Sequence, residues 1–94
     1  VEFLVHITVS IPPDHAEDVV AEERRVGVQL RDAGVIRRIW RVPGTTSNVG
    51  IWEAPDATAL HEALSSLPAF PWARAEVTPL AVHPLEAVTG DTSA

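Results

Sequence analysis

The chain has 94 residues, 46% of them hydrophobic and 21% charged, enough for one domain with a single modest core. Its net charge of −6 argues against a nucleic-acid surface, which would need a basic face. It contains no cysteine, lysine or tyrosine, which excludes disulfides, thiolate metal sites, Schiff-base or P-loop lysines and phenolic acids.

Glu2 to Ser10 alternates Phe3, Val5, Ile7 and Val9 with Glu2, Leu4, His6 and Thr8, a period of two that predicts a strand. Ile11-Pro12-Pro13-Asp14 ends it, and proline suits the first turn of the helix that follows. That helix is read from Ala16 to Ala33, with Gly34 as its C-terminal cap. Its apolar stripe is Ala16, Val19, Val20, Val26, Leu30 and Ala33.

At roughly 100° per residue, Glu23 projects within about 20° of Ala16 and Leu30, in the middle of the stripe. Glu22 projects toward solvent. A carboxylate on a core-facing stripe is either paired, bound at a cavity wall, or carries a raised pKa. The arginine-rich sequence allows the first reading; a general base between helix and sheet is the second.

Val35 to Val42 and Val49 to Glu53 are predicted strands around the turn Pro43-Gly44-Thr45-Thr46-Ser47-Asn48. Alternation in the first of them puts Arg37, Ile39 and Arg41 on one side and Arg38 and Trp40 on the other. These arginines either balance charge at the surface or supply one planar fork for a carboxylate. Asn48 is either a turn residue or a neutral donor to a developing oxyanion.

Asp56 caps a second helix, Ala57 to Leu67, whose stripe is Leu60, Ala63, Leu64 and Leu67, with His61 beside it and half-buried. Leu67-Pro68-Ala69-Phe70-Pro71-Trp72 is a stiff loop carrying two aromatics. Ala73 to Val82 is the last strand, and its Pro79 suggests an edge, a bulge or an early end. The order βαββαβ is that of an α+β ferredoxin-like sandwich, a four-stranded antiparallel sheet with two helices on one face, spanning residues 1–84. Residues 85–94 form a partly disordered tail. Leu4 and His6 would point to the uncovered sheet face, which suggests assembly through it.

His6, His15, His61 and His83 show no ligand spacing, so no metal is expected. With no apolar run near the roughly 18 residues of a membrane span and no signal-peptide pattern, the expected location is cytoplasmic and away from membranes.

Ile39-Trp40-Arg41-Val42 with Gly44 and Asn48, Leu60-His61 before Leu67-Pro68-Ala69-Phe70-Pro71, and Glu76-Val77 leading to Leu80-Ala81-Val82-His83-Pro84 resemble the motifs of the muconolactone delta-isomerase family. The resemblance runs from Phe3 to Pro84. The family's helix-one acidic motif is met by Ala21-Glu22-Glu23. Thr46, Val49 and Trp72 stand where the family has tyrosines, and Arg38 and Leu4 where it has histidines.

The resemblance implies a cofactor-free isomerase that moves the ring double bond of muconolactone to give the 3-oxoadipate enol-lactone. It also implies a homo-oligomer, decameric in the family. On this reading Glu23 is the base, Asn48 or a nearby backbone N–H holds the dienolate oxygen, and Arg41 holds the substrate carboxylate. Trp40, Phe70 and Trp72 wall off water, and His61 belongs to the substrate-binding set. Two other functions fit the same fold: a cofactor-independent monooxygenase of the dimeric α+β barrel type, and a non-catalytic oligomeric ligand-binding protein.

Overall fold

The computed structural model describes residues 1–87. Its elements are β1 (Glu2–Val9), α1 (Pro13–Asp32), β2 (Ile36–Arg41), β3 (Asn48–Glu53), α2 (Ala57–Ser65), a 3-10 turn at Phe70–Trp72, β4 (Ala73–Leu80) and a 3-10 turn at Pro84–Ala87. The sheet is antiparallel with strand order β2-β3-β1-β4, the ferredoxin-like arrangement expected from the sequence. The two central strands are β1 and β3. Pro79 sits on the edge strand β4, where a missing N–H costs least.

The alternation of β1 sets the two faces. Phe3, Val5 and Ile7 are buried beneath the helices, with Val5 fully inaccessible. Across the ladder Phe3 meets Trp52, and Val5 meets Gly50, so these share the helix-side face. Trp52 is 1% exposed and, with Leu60 and Leu64 of α2, completes the centre of the core. Leu4, His6, Val49 and Ile51 occupy the opposite face, which no helix covers.

The two helices are seated differently. The side chain of Asp56 accepts from the Ala59 N–H at 2.8 Å, an N-cap that starts α2 cleanly. Helix α1 starts at Pro13, one turn before the predicted Ala16, because proline needs no N–H donor at a helix start. It ends as expected before Gly34, whose φ of 80° suits glycine alone. Although α1 is 20 residues long, none of them is fully buried. Its half-buried residues are Ala16, Val19, Glu23, Val26, Gly27 and Leu30, and of these Leu30 packs against the core.

Several local features differ from the sequence pattern. A register shift between Ile36 and Arg38 leaves Arg37 unpaired with β3, so Ile36 and Ile39 face the helices while Arg38 and Trp40 face outward. Arg37 therefore does not share a face with Arg41. Helix α2 stops at Ser65, short of Leu67 and the prolines beyond it. The loop after it closes into a 3-10 turn, with Phe70 N–H bonded to the Leu67 carbonyl. His61 is exposed, one position off the buried stripe of Leu60 and Leu64. The 3-10 turn Pro84–Ala87 runs into the predicted tail, and 88–94 lie outside the described residues. No helix among the described residues is long and apolar enough to cross a membrane.

Candidate active site

A cleft of about 470 Å3 opens where the end of β1, the middle of α1, the β2–β3 turn and the loop after α2 converge. Val9, Ser10 and Ile11 form its floor, and Val20 and Glu23 reach it from α1. Arg41, Thr46 and Asn48 form the opposite wall. The ladder explains that wall: Arg41 pairs with Asn48, and directly opposed residues project to the same face.

Glu23 is half-buried, and Oε1 accepts a hydrogen bond from the Ala69 backbone N–H at 3.0 Å. Among the described residues no basic group forms an ion pair with it. Burial pushes its pKa above the ordinary carboxylate value, and the Ala69 hydrogen bond opposes that rise without cancelling it. Its neighbour Glu22 is exposed and pairs with Arg25, which lowers its pKa through that hydrogen bond. Two adjacent acids thus differ in environment as the helical phase requires.

Behind the carboxylate is a tight void of about 30 Å3 lined by apolar residues, among them Ile7, Leu64, Leu67 and Phe70. This apolar backing keeps water from one side of Glu23, the condition that raises a carboxylate's pKa.

Arg41 is exposed, and its Nη1 donates to the carbonyls of Thr46 at 2.5 Å and Ser47 at 3.4 Å. Asn48 is partly buried, and its Oδ1 has no hydrogen-bond partner. A buried amide oxygen without a partner is costly, and a ligand that supplies a donor would relieve that cost.

The remaining candidates are not brought to this cleft. Trp40 lies on the outer sheet face, 45% exposed, with the Arg38 guanidinium 4.9 Å from its ring centroid. His61 sits edge-on to Phe70 at 6.0 Å on the outside of α2. Phe70 touches the Glu23 site only through the small void behind the carboxylate. Trp72 stacks on His15 at 5.7 Å and ties the start of α1 to the 3-10 turn. Among the described residues no group of three His, Asp or Glu side chains could hold a metal ion.

Two groups at the site leave little trace in the sequence. The Ala69 N–H is a backbone donor, and its only trace in the sequence is the stiff Pro68-Ala69-Phe70-Pro71 frame. Ser47, 8% exposed, reads in the sequence as an ordinary turn residue.

The molecule is thus a ferredoxin-like α+β sandwich with a half-buried carboxylate, without an ion pair among the described residues, in a cleft beside its longer helix. The sequence model of the muconolactone delta-isomerase family matches residues 1–86. The muconolactone delta-isomerase of Cupriavidus pinatubonensis is 37% identical over 86 residues, covering 87% of this chain and 94% of that protein. That of Pseudomonas aeruginosa is 34% identical over 84 residues, covering 89% and 88%. The crystal structure of a muconolactone isomerase at 3.3 Å resolution superposes with a TM-score of 0.85 at 32% identity, covering 95% of this chain and 97% of that one. The chain belongs to the muconolactone delta-isomerase family and is an enzyme of the isomerase class.

Proposed function

We propose that this enzyme moves the ring double bond of muconolactone, or of a close analogue, from the α,β to the β,γ position, with Glu23 as the proton shuttle. The observation that carries this reading is the state of Glu23: a half-buried carboxylate at a cleft wall, without an ion pair and with a raised pKa.

The γ-carbon of an α,β-unsaturated lactone is acidic because its conjugate base is a dienolate delocalised onto the carbonyl oxygen. Ionised Glu23 takes the γ-proton as the C–H bond breaks. The dienolate then takes a proton at the α-carbon, forming a C–H bond there and leaving the double bond between β and γ. Electrons and atoms balance within the substrate, so no redox cofactor enters. A carboxylate whose pKa is raised holds the proton between the two steps better than an ordinary one.

One carboxylate oxygen is occupied by the Ala69 N–H, which leaves Oε2 as the working atom. Asn48, on the facing wall, suits the developing oxyanion through its amide N–H2. Arg41 suits the acid group of the substrate, since a guanidinium binds a carboxylate in a planar fork.

Assembly as a homo-oligomer is part of the same reading. The outer sheet face carries Leu4, Val49 and Ile51 only partly covered, and Trp40 exposed. A second copy on that face would bury them. Trp40 then serves a subunit contact rather than the wall of its own cleft.

The test of function is direct. Wild-type enzyme should turn over muconolactone in an ultraviolet assay, and Glu23→Gln should lose roughly 10²–10⁴-fold in rate, the size of a lost general base. A folded Glu23→Gln protein with near-normal turnover would remove Glu23 from the chemistry.

A further inference from the structure

We infer that the hydroxyl pair Thr8–Ser47, on the sheet face opposite the cleft, is a positioning element that fixes the guanidinium of Arg41; the inference rests on the reading of Arg41 as the carboxylate-binding group.

The geometry begins with Ser47, the single buried polar residue among those described, at 8% exposure. Each of its polar atoms is engaged. Its hydroxyl meets the Thr8 hydroxyl at 3.1 Å, which joins the β2–β3 turn to β1. Its N–H donates to the Thr45 hydroxyl at 3.0 Å, and that hydroxyl donates to the Val42 carbonyl at 2.9 Å. Its carbonyl accepts from the Val42 N–H at 3.0 Å and from Arg41 Nη1. The Thr46 carbonyl beside it makes the shorter contact to Nη1.

The turn is therefore a small hydrogen-bonded frame whose two carbonyls hold one side of the guanidinium. That leaves the other nitrogens available at the cleft wall. Among the described residues, the Thr8–Ser47 bond is the one side-chain hydrogen bond that ties this frame to the central strand β1. An exposed arginine has large rotamer freedom, and holding it in one pose before a ligand arrives lowers the ordering cost of binding. Without the Thr8 hydroxyl, the turn carbonyls and with them Nη1 lose that anchor.

Thr8 is exposed on a strand, so Thr8→Val removes the hydroxyl while keeping shape and β-branching, and the fold should survive. Thr8→Ser restores the hydroxyl. The first readout is kinetic. For Thr8→Val, KM for the acidic lactone should rise about fivefold, the effect of one lost hydrogen bond, while kcat and the KM for its methyl ester stay put. Thr8→Ser should return KM to the wild-type value. Equal changes for acid and ester, or no rescue by serine, would overturn the inference.

The second readout does not depend on turnover. The chain has seven arginines and no lysine, so an arginine Nε–H spectrum contains seven side-chain signals, and Arg41→Lys assigns the one that disappears. The Arg41 signal should be restrained in wild type and Thr8→Ser, and motionally averaged in Thr8→Val. An unchanged Arg41 signal in Thr8→Val sinks the inference even if the enzyme proves inactive on muconolactone. Loss of wild-type turnover with the expected spectral change leaves the positioning intact and refutes only the substrate reading.

Discussion

The Ala69 N–H and the Glu23 carboxylate, 46 positions apart in the chain, meet at 3.0 Å beside the cleft. The loop that donates this bond is framed by Pro68 and Pro71, and Ala69 itself is 1% exposed. A rigid, buried backbone donor is thus aimed at one oxygen of a carboxylate that has no ion pair among the described residues. It orients the acid while leaving its charge unneutralised.

That arrangement adds one contribution to the pH dependence of stability. Because the folded-state pKa of Glu23 lies above its ordinary value of 4.5, the folded protein holds the proton more tightly than the unfolded chain. The associated stabilisation is fully present below the ordinary value and is lost as pH rises through the raised one. Glu23→Gln removes this dependence and can still accept from Ala69 through its amide oxygen. Melting curves should show the variant equal to wild type near pH 4 and more stable than wild type at pH 7. A variant markedly less stable at pH 7 would mean that the ionised carboxylate has a partner it needs.

Arg41→Lys tests the charge of the ligand. Lysine keeps the positive charge but loses the fork and the contacts to the Thr46 and Ser47 carbonyls. Turnover of an acidic lactone should fall at least about tenfold relative to its methyl ester, the loss of one charge-assisted hydrogen bond. Parallel losses on both compounds would mark the arginine as a turn-stabilising residue only.

Gly50→Ala tests the strand packing behind the site. A Cβ on Gly50 would lie 2.6 Å from the Arg38 carbonyl oxygen, a backbone atom that cannot swing aside. The β2–β3 pair must part locally, at a cost of about 1–3 kcal/mol. The midpoint of denaturant unfolding should drop accordingly, and an unchanged midpoint would show that β2 shifts freely.

Assembly is tested at micromolar concentration by light scattering. A stable oligomer of more than two subunits is expected, and Leu4→Glu on the outer sheet face should dissociate it. A wild-type species at the monomer mass of 10.1 kDa would show that the outer face is left open.

Much of the fold is written in short-range rules. The alternation of Phe3, Val5 and Ile7, the Asp56 cap and the positive φ of Gly34 each depend on a few neighbouring residues. Glu23 could be singled out because helical phase is itself local. Arg41 and Asn48 were readable as candidates, but their meeting depends on strand register, here Arg41 opposite Asn48. The bulge at Arg37 could not be read, since one extra residue in a strand leaves no mark in its composition. Nor could the partner of Glu23 be foreseen, because a backbone N–H has no letter of its own. Trp40 shows the opposite lapse: alternation already set it across the strand from Arg41, while its aromatic character suggested a pocket wall.

Helix α1 buries none of its 20 residues fully, and the space left beneath it is the cleft. A fold that forgoes close packing there can recover it from whatever fills the gap. Ligand occupancy should therefore be visible as thermal protection: about 2.7 kcal/mol when the free ligand stands at 100 times its Kd, whatever chemistry follows. The protection should be strongest along α1, whose amides would exchange with solvent faster than those of β1 in the empty protein and approach them once the cleft is occupied.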